Sequence, residues 1–177
     1  MLRRRSDMGK KAIEIANLDV SKLIHLLNEA LAEEWLAYYQ YWVGARVMQG
    51  PMRSEVEPEL LLHATEELGH AELVAGRILQ LGGTPLLNPS LWASYAKCPY
   101  EEPNDPYIEE ILKQNLAGER CAIQRYEDIA QYTHGKDMAT HQMAITILND
   151  ELEHEHDIQD FLADLERLKE DIRKMRL

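Results

Sequence analysis

With only two cysteines in 177 residues, the chain cannot be a disulfide-framed scaffold, and at this length it buries a core without one. Basic residues are also few: 19 Lys+Arg stand against 31 Asp+Glu, a net charge of −12. That balance excludes a broadly basic nucleic-acid surface and suits cations as ligands. No uncharged apolar run approaches the ~20 residues that a membrane span needs. The opening MLRRRSDMGKK is basic but leads into no apolar segment, so no secretion signal is expected and the cytoplasm is the expected compartment. Strand alternation and hairpin dipeptides are missing as well.

What the sequence has is helical periodicity. Residues 1–18 read as an irregular basic arm carrying Arg3, Arg4, Arg5, Lys10 and Lys11. On so acidic a chain this arm is expected to be a solvated tail, and DNA binding by it is not favoured. Residues 19–177 read as one all-α domain. A first helix begins after Asp19 or Ser21 and runs from Val20 to about Met48, with Leu23, Leu27, Ala30, Leu31, Glu34, Ala37, Tyr38 and Tyr41 on the 3.6-residue period. A second runs from near Ser54 to Leu81 and stops at Gly82-Gly83-Thr84-Pro85. A Pro-rich passage over 83–105 holds one short helical candidate, Ser90–Lys97. Asp105-Pro106 reads as an N-cap followed by Pro at the first helical position, opening a third helix to about Thr133. A fourth runs from Asp137 to about Lys169 or beyond. Two connections are short and the middle one is long, which predicts two antiparallel hairpins joined by one crossover.

Each long helix carries acid near its centre. The order is Glu34, then Glu67-x-x-His70, then Glu119, then Glu151-x-x-His154. Thirty-three positions separate Glu34 from Glu67 and 32 separate Glu119 from Glu151, so the chain reads as two similar hairpins with a site on their shared axis. At ~1.5 Å rise per residue the four carboxylates reach nearly one level. Residues i and i+3 share a helix face, so each Glu can act with its own His. Four carboxylates offset the charge of two divalent ions, and two of them can bridge the pair. One imidazole for each ion suits iron in both oxidation states. This is the di-iron or di-manganese donor set of a helical bundle.

Other residues stand near these ligands. Tyr41 lies seven residues after Glu34 on the same face and is a candidate to quench one-electron oxidants. Trp35, Tyr38, Tyr39 and Trp42 read as aromatic core. Glu66 and Glu153 adjoin ligands but point away, as surface or supporting groups. His63, four residues before Glu67, reads as a hydrogen-bonded core histidine. His25, His134, His141 and His156 have no evident role. Cys121, two residues after Glu119, faces away from it toward the path of the crossover that carries Cys98. From spacing alone a bridge and two buried small side chains are equally open.

The stretches LLNEALAEEWLAYYQYWVGAR, HATEELGHAELVAGRILQLGG and ILNDELEHEHDIQDFL resemble helices of bacterioferritins and of the Dps-like ferritins, the thioferritin branch. The segment CPYEE, followed by GERCAI, is similar to the Dps-like ferritins in particular. The resemblance covers about residues 19–165. It implies a ferritin-like four-helix bundle with Glu34, Glu67, His70, Glu119, Glu151 and His154 as ligands of two iron ions, manganese being the alternative metal. It also implies a Cys98–Cys121 disulfide. Leu68 stands where bacterioferritins place a haem-ligating Met, so no haem is expected. The implied activity is a ferroxidase that oxidises Fe(II) with H2O2 or O2, stores ferric mineral and protects against oxidative stress. The implied assembly is a homo-oligomeric cage, a dodecamer first. The rival readings are a non-storing di-metal enzyme, such as a manganese catalase or a rubrerythrin-like peroxidase, and a DNA-compacting Dps-type protein. The absence of a Cys-x-x-Cys pair weakens the rubrerythrin version.

Overall fold

The computed structural model describes residues 10–175. The arginines of the basic arm, Arg3 to Arg5, lie outside the described residues. Part of the stretch expected to be irregular forms a short helix, α1 (Lys10–Ile15). Four long helices follow: α2 (Val20–Val47), α3 (Arg53–Gln80), α5 (Ile108–Thr133) and α6 (Met138–Met175). Between α3 and α5 the crossover contains only a 3-10 turn, Pro89–Leu91, and a single-turn helix α4 (Trp92–Tyr95). Among the described residues there is no strand. The architecture is the expected four-helix bundle of two hairpins joined by one long crossover, in which α2 pairs with α3 and α5 with α6, both antiparallel.

Local chemistry sets the helix ends. Asp19 caps α2, its carboxylate accepting from the Lys22 amide. The expected cap at the third long helix is displaced by two residues. Asp105 accepts instead from the Tyr107 amide, and α5 starts at Ile108 after Tyr107. The cause is a non-local pairing: the Gln49 amide donates to the Pro106 carbonyl and the Ile108 amide to the Gln49 carbonyl, holding 106–108 extended. Gly50 makes this contact possible. Its φ of 133° favours glycine, and a Cβ there would lie 2.9 Å from Ile108. Because the crossover leaves the far end of α3 and arrives beside the end of α2, it traverses the length of the bundle.

Three buried polar side chains of α2 hold the crossover against the outside of the bundle. Asn28 accepts from the Leu86 amide and donates to the Thr84 carbonyl; Glu33 accepts from the Lys97 and Cys98 amides; Gln40 accepts from the Glu101 amide. Cys98 and Cys121 are joined by a disulfide with Cα atoms 5.7 Å apart, tying the crossover to α5. Arg125 of α5 clamps Glu33 with two 2.8 Å hydrogen bonds. Trp35 stacks on Trp92 of the crossover at 5.3 Å. Tyr39 and Trp42, expected in the core, are 47% and 39% exposed, because this face of α2 looks outward and the crossover covers it only in part.

The core is divided in two. One apolar cluster fills the end built from Leu23, Leu27, Val74, Ile78, Ile129 and Ile147. A second fills the opposite end with Val56, Leu60, Ile108, Leu112, Ile158 and Leu165. Below the first cluster, Arg77 and Asp137 form a buried pair at 2.7 Å, and Thr140 bonds to both. Removing one partner of such a pair strands the other charge. Asp137→Ala is therefore expected to cost about 3 kcal/mol in denaturant unfolding; a change near zero would show that the pair does not secure this end.

Candidate metal centre

The layer between the two apolar clusters is polar and almost fully buried. Glu34, Glu67, His70, Glu119, Glu151 and His154 are each 3% exposed or less. They come from all four long helices, and the mid-helix placement of each brings them to one level.

The geometry is two-fold. Around His70 Nδ1 stand Glu34 Oε2 at 3.5 Å, Glu67 Oε2 at 3.4 Å and Glu151 Oε1 at 3.2 Å. Around His154 Nδ1 stand Glu119 Oε2 at 3.7 Å, Glu67 Oε1 at 3.4 Å and Glu151 Oε2 at 3.5 Å. Glu67 and Glu151 thus give one oxygen to each half, while Glu34 and Glu119 serve one half each. Within each half the donor atoms lie within 4.8 Å of one another.

A second set of residues orients the first. The Tyr41 hydroxyl donates to Glu119 Oε1 and the Tyr126 hydroxyl to Glu34 Oε1. Each terminal carboxylate is thereby pinned by one oxygen and turns the other inward. His70 Nε2 lies 3.2 Å from Asp150 and His154 Nε2 2.9 Å from Glu66, so outer carboxylates hold both rings with Nδ1 facing the layer. Tyr126 and Asp150 escape a reading of the ligands alone. The internal repeat signals both: Tyr126 follows Glu119 by seven positions, as Tyr41 follows Glu34, and Asp150 precedes Glu151 as Glu66 precedes Glu67. His63, read as a hydrogen-bonded histidine, instead stacks on His154 at 4.1 Å and has no hydrogen bond at Nδ1.

The donor set fits a pair of divalent cations. Glu34 Oε2, Glu67 Oε1, Glu119 Oε2, both Glu151 oxygens and His154 Nδ1 are buried without a hydrogen-bond partner. Buried polar atoms are normally satisfied, so six at one place point to a missing positive partner. Two like charges 4 Å apart repel by about 4 kcal/mol at an effective dielectric of 20. Protons relieve this in the metal-free chain. Burial, reinforced by neighbouring carboxylates, drives the Glu34 and Glu119 carboxyls well above the usual range. Burial opposes ionisation of Glu67 too, but the facing His154 and His70, together with Glu34, outweigh it and bring it down to about 2. Burial would lower both histidines, yet their carboxylate partners raise His70 and His154 strongly. Burial also raises Tyr41 and Tyr126, with the Glu119 and Glu34 charges adding to it.

A cavity of about 40 Å³ opens onto this layer from beneath the crossover, lined by Glu34, Glu67, Glu119, Tyr41, Tyr126 and Cys98 among others. It has room for one or two water-sized molecules.

Comparison with known proteins gives one consistent picture. Residues 24–168 match the family model described as a ferritin-like domain. The chain is 36% identical over 157 residues to the DNA protection during starvation protein of Pyrococcus furiosus, covering 88% of this chain and 84% of that one. It is 31% identical over 112 residues to a bacterioferritin of Rhodobacter capsulatus, covering 63% and 64%. Among solved structures, the bacterioferritin-related dodecameric thioferritin of Bacteroides fragilis matches with a TM-score of 0.90 and 50% identity, over 92% of this chain and 98% of that one.

The proton inventory predicts a pH dependence. Glu34, Glu119, His70 and His154 all bind protons more tightly folded than unfolded, so the stability they contribute falls as pH rises. The opposite contribution of Glu67 is complete once pH exceeds the unfolded value of about 4.3, and that of His63, lowered to about 3 by burial, is complete above about 6.5, so the four raised groups outweigh it between pH 5.5 and pH 8. Metal-free protein is therefore expected to melt at a higher temperature at pH 5.5 than at pH 8. An unchanged or higher melting temperature at pH 8 would contradict this charge assignment.

Proposed function

The chain belongs to the ferritin-like family, and on that premise we propose that it is an iron-oxidising, iron-storing member working at the buried acid layer. The observation that carries this reading is the two-fold set of donors, with Glu67 and Glu151 shared and their inward atoms unpaired. Glu34 and His70 would hold one ion, Glu119 and His154 the other, and Glu67 and Glu151 both. Iron is the metal proposed, with manganese the alternative. Two ferrous ions held together supply two electrons at once, enough to reduce H2O2 to water without releasing a hydroxyl radical.

The residues around the layer have definable tasks. Loading requires Glu34, Glu119 and both histidines to release protons, so uptake is coupled to pH. The Nε2–H of His70 then donates to Asp150, and that of His154 to Glu66, which fixes the tautomer that presents Nδ1 inward. Tyr41 and Tyr126 keep Glu119 and Glu34 from swinging and hold a phenolic proton beside the centre. Tyr41 is proposed to intercept one-electron oxidants. The cavity under the crossover is small enough to admit peroxide or O2 while excluding larger oxidants.

Storage requires a shell, because a single bundle has no internal space for mineral. The match to a dodecameric thioferritin supports a cage of this chain, a dodecamer first. The cytoplasm is the proposed compartment, and DNA binding is not proposed.

Stopped-flow oxidation, sedimentation and iron counting test the reading together. The expected result is a particle of hundreds of kilodaltons that consumes two Fe(II) for each H2O2 and retains ferric iron. Glu34→Ala and Glu119→Ala are each expected to slow oxidation at least ~10-fold, the lower end of what loss of a group supporting a metal centre costs. A monomer or dimer that turns over peroxide without retaining iron would leave only a non-storing di-metal enzyme.

A further inference from the structure

A second group of potential ligands stands outside the paired centre, in the cleft between α3 and α6. Glu59 and His63 are one turn apart on α3, and Asp157 faces them from α6. His63 Nε2 lies 3.6 Å from Glu59 Oε1 and 3.6 Å from Asp157 Oδ2, and the three donor atoms lie within 4.8 Å of one another. We propose that Glu59, His63 and Asp157 form a third cation site, for a first-row divalent transition metal, separate from the paired centre.

The distances favour a shared ion over direct pairing. At 3.6 Å the imidazole makes no proper hydrogen bond to either carboxylate. Two ligands with arms of about 2.1 Å around a tetrahedral ion are about 3.4 Å apart, close to what is seen. His63 itself supplies the independent sign of a ligand. It is 1% exposed; Nδ1 is buried without a hydrogen-bond partner, and Nε2, the nitrogen facing the cleft, has the two 3.6 Å carboxylate contacts. An imidazole this deeply buried normally has a proper hydrogen bond, and the long Nε2 contacts do not supply one. The ring is wedged, stacked on His154 at 4.1 Å and meeting Tyr41 edge-on at 5.2 Å. The direction left to Nε2 is the gap between the two carboxylates.

The surroundings suit a cation that exchanges with solvent. The Glu59 and Asp157 side chains are 32% and 36% exposed, so the buried imidazole forms the floor of the site and the carboxylates its rim. The cleft measures about 100 Å³ and continues outward past Asp160 and Asp164, an acidic approach that raises the local cation concentration. One imidazole with two carboxylates selects first-row transition ions over Mg²⁺ and Ca²⁺, which prefer all-oxygen sites. None of the three residues belongs to the paired centre, so the proposal stands independently of the reading given above.

Zinc counting on the assembled full-length protein tests it. Metal-free wild type, the Glu59→Gln, Asp157→Asn double variant and the single variant Asp157→Asn are equilibrated with Zn(II) in excess Mg(II), freed of unbound metal and analysed. The same comparison is repeated with Glu34→Gln and Glu119→Gln added. The expected result is one zinc fewer per chain in the double variant, at unchanged particle size, in both backgrounds. Asp157→Asn is nearly isosteric and part-exposed, so it serves if the double variant fails to assemble. It is expected to weaken retention of that one zinc at least tenfold. Equal zinc content and affinity in wild type and these variants would overturn the third site. If Glu34→Gln and Glu119→Gln lose no zinc while the double variant does, the third site stands and the paired centre falls.

Discussion

Four carboxylates at one level inside a helical bundle repel each other unless positive charge sits among them, and that constraint organises this molecule. Burial removes the water that would screen Glu34, Glu67, Glu119 and Glu151. What remains is protonation, the two histidines, or bound cations. The apolar core is accordingly split into two end clusters, each a conventional packed interior, with the acid layer between them. Apolar packing fills the ends, and the ionisable donors fill the middle.

Holding such a layer needs an outer frame. Every inner ligand with a free second atom has it tied: Glu34 to Tyr126, Glu119 to Tyr41, His70 to Asp150 and His154 to Glu66. The frame extends to the crossover, where Glu33 is held by Arg125 and binds the backbone beside the disulfide. The cavity reaching the layer lies under this same segment. One connection therefore closes the bundle and borders the route to the site.

The acid layer is legible in the sequence because two constraints coincide there: helical spacing puts Glu-x-x-His on one face, and hairpin lengths bring four helix centres to one depth. The same repeat contains Tyr126 and Asp150, so these become visible once the repeat is extended beyond the ligands themselves. The start of α5 is less legible. Asp105-Pro106 carries the local signal for a helix, but Gln49, more than fifty residues away, holds that segment extended. The burial of Asn28, Glu33 and Gln40 leaves no periodic trace either, since it depends on where a long irregular segment comes to lie. Tyr39 and Trp42 mislead for the same reason: hydrophobic content suggests a core, while the helix face they occupy points outward. Local pattern reports the bundle and its centre, and long-range contacts decide what covers them.

The central claim is that six side chains hold two ions with Glu67 and Glu151 shared. Crystals of the protein loaded with iron, measured on both sides of the iron absorption edge, test it most directly. The account predicts two anomalous peaks in the buried layer of each chain, one beside Glu34 and His70 and the other beside Glu119 and His154, with the Glu67 and Glu151 carboxylates spanning both. A single peak in the layer, or iron bound only at other residues while the layer stays without it, would contradict the account.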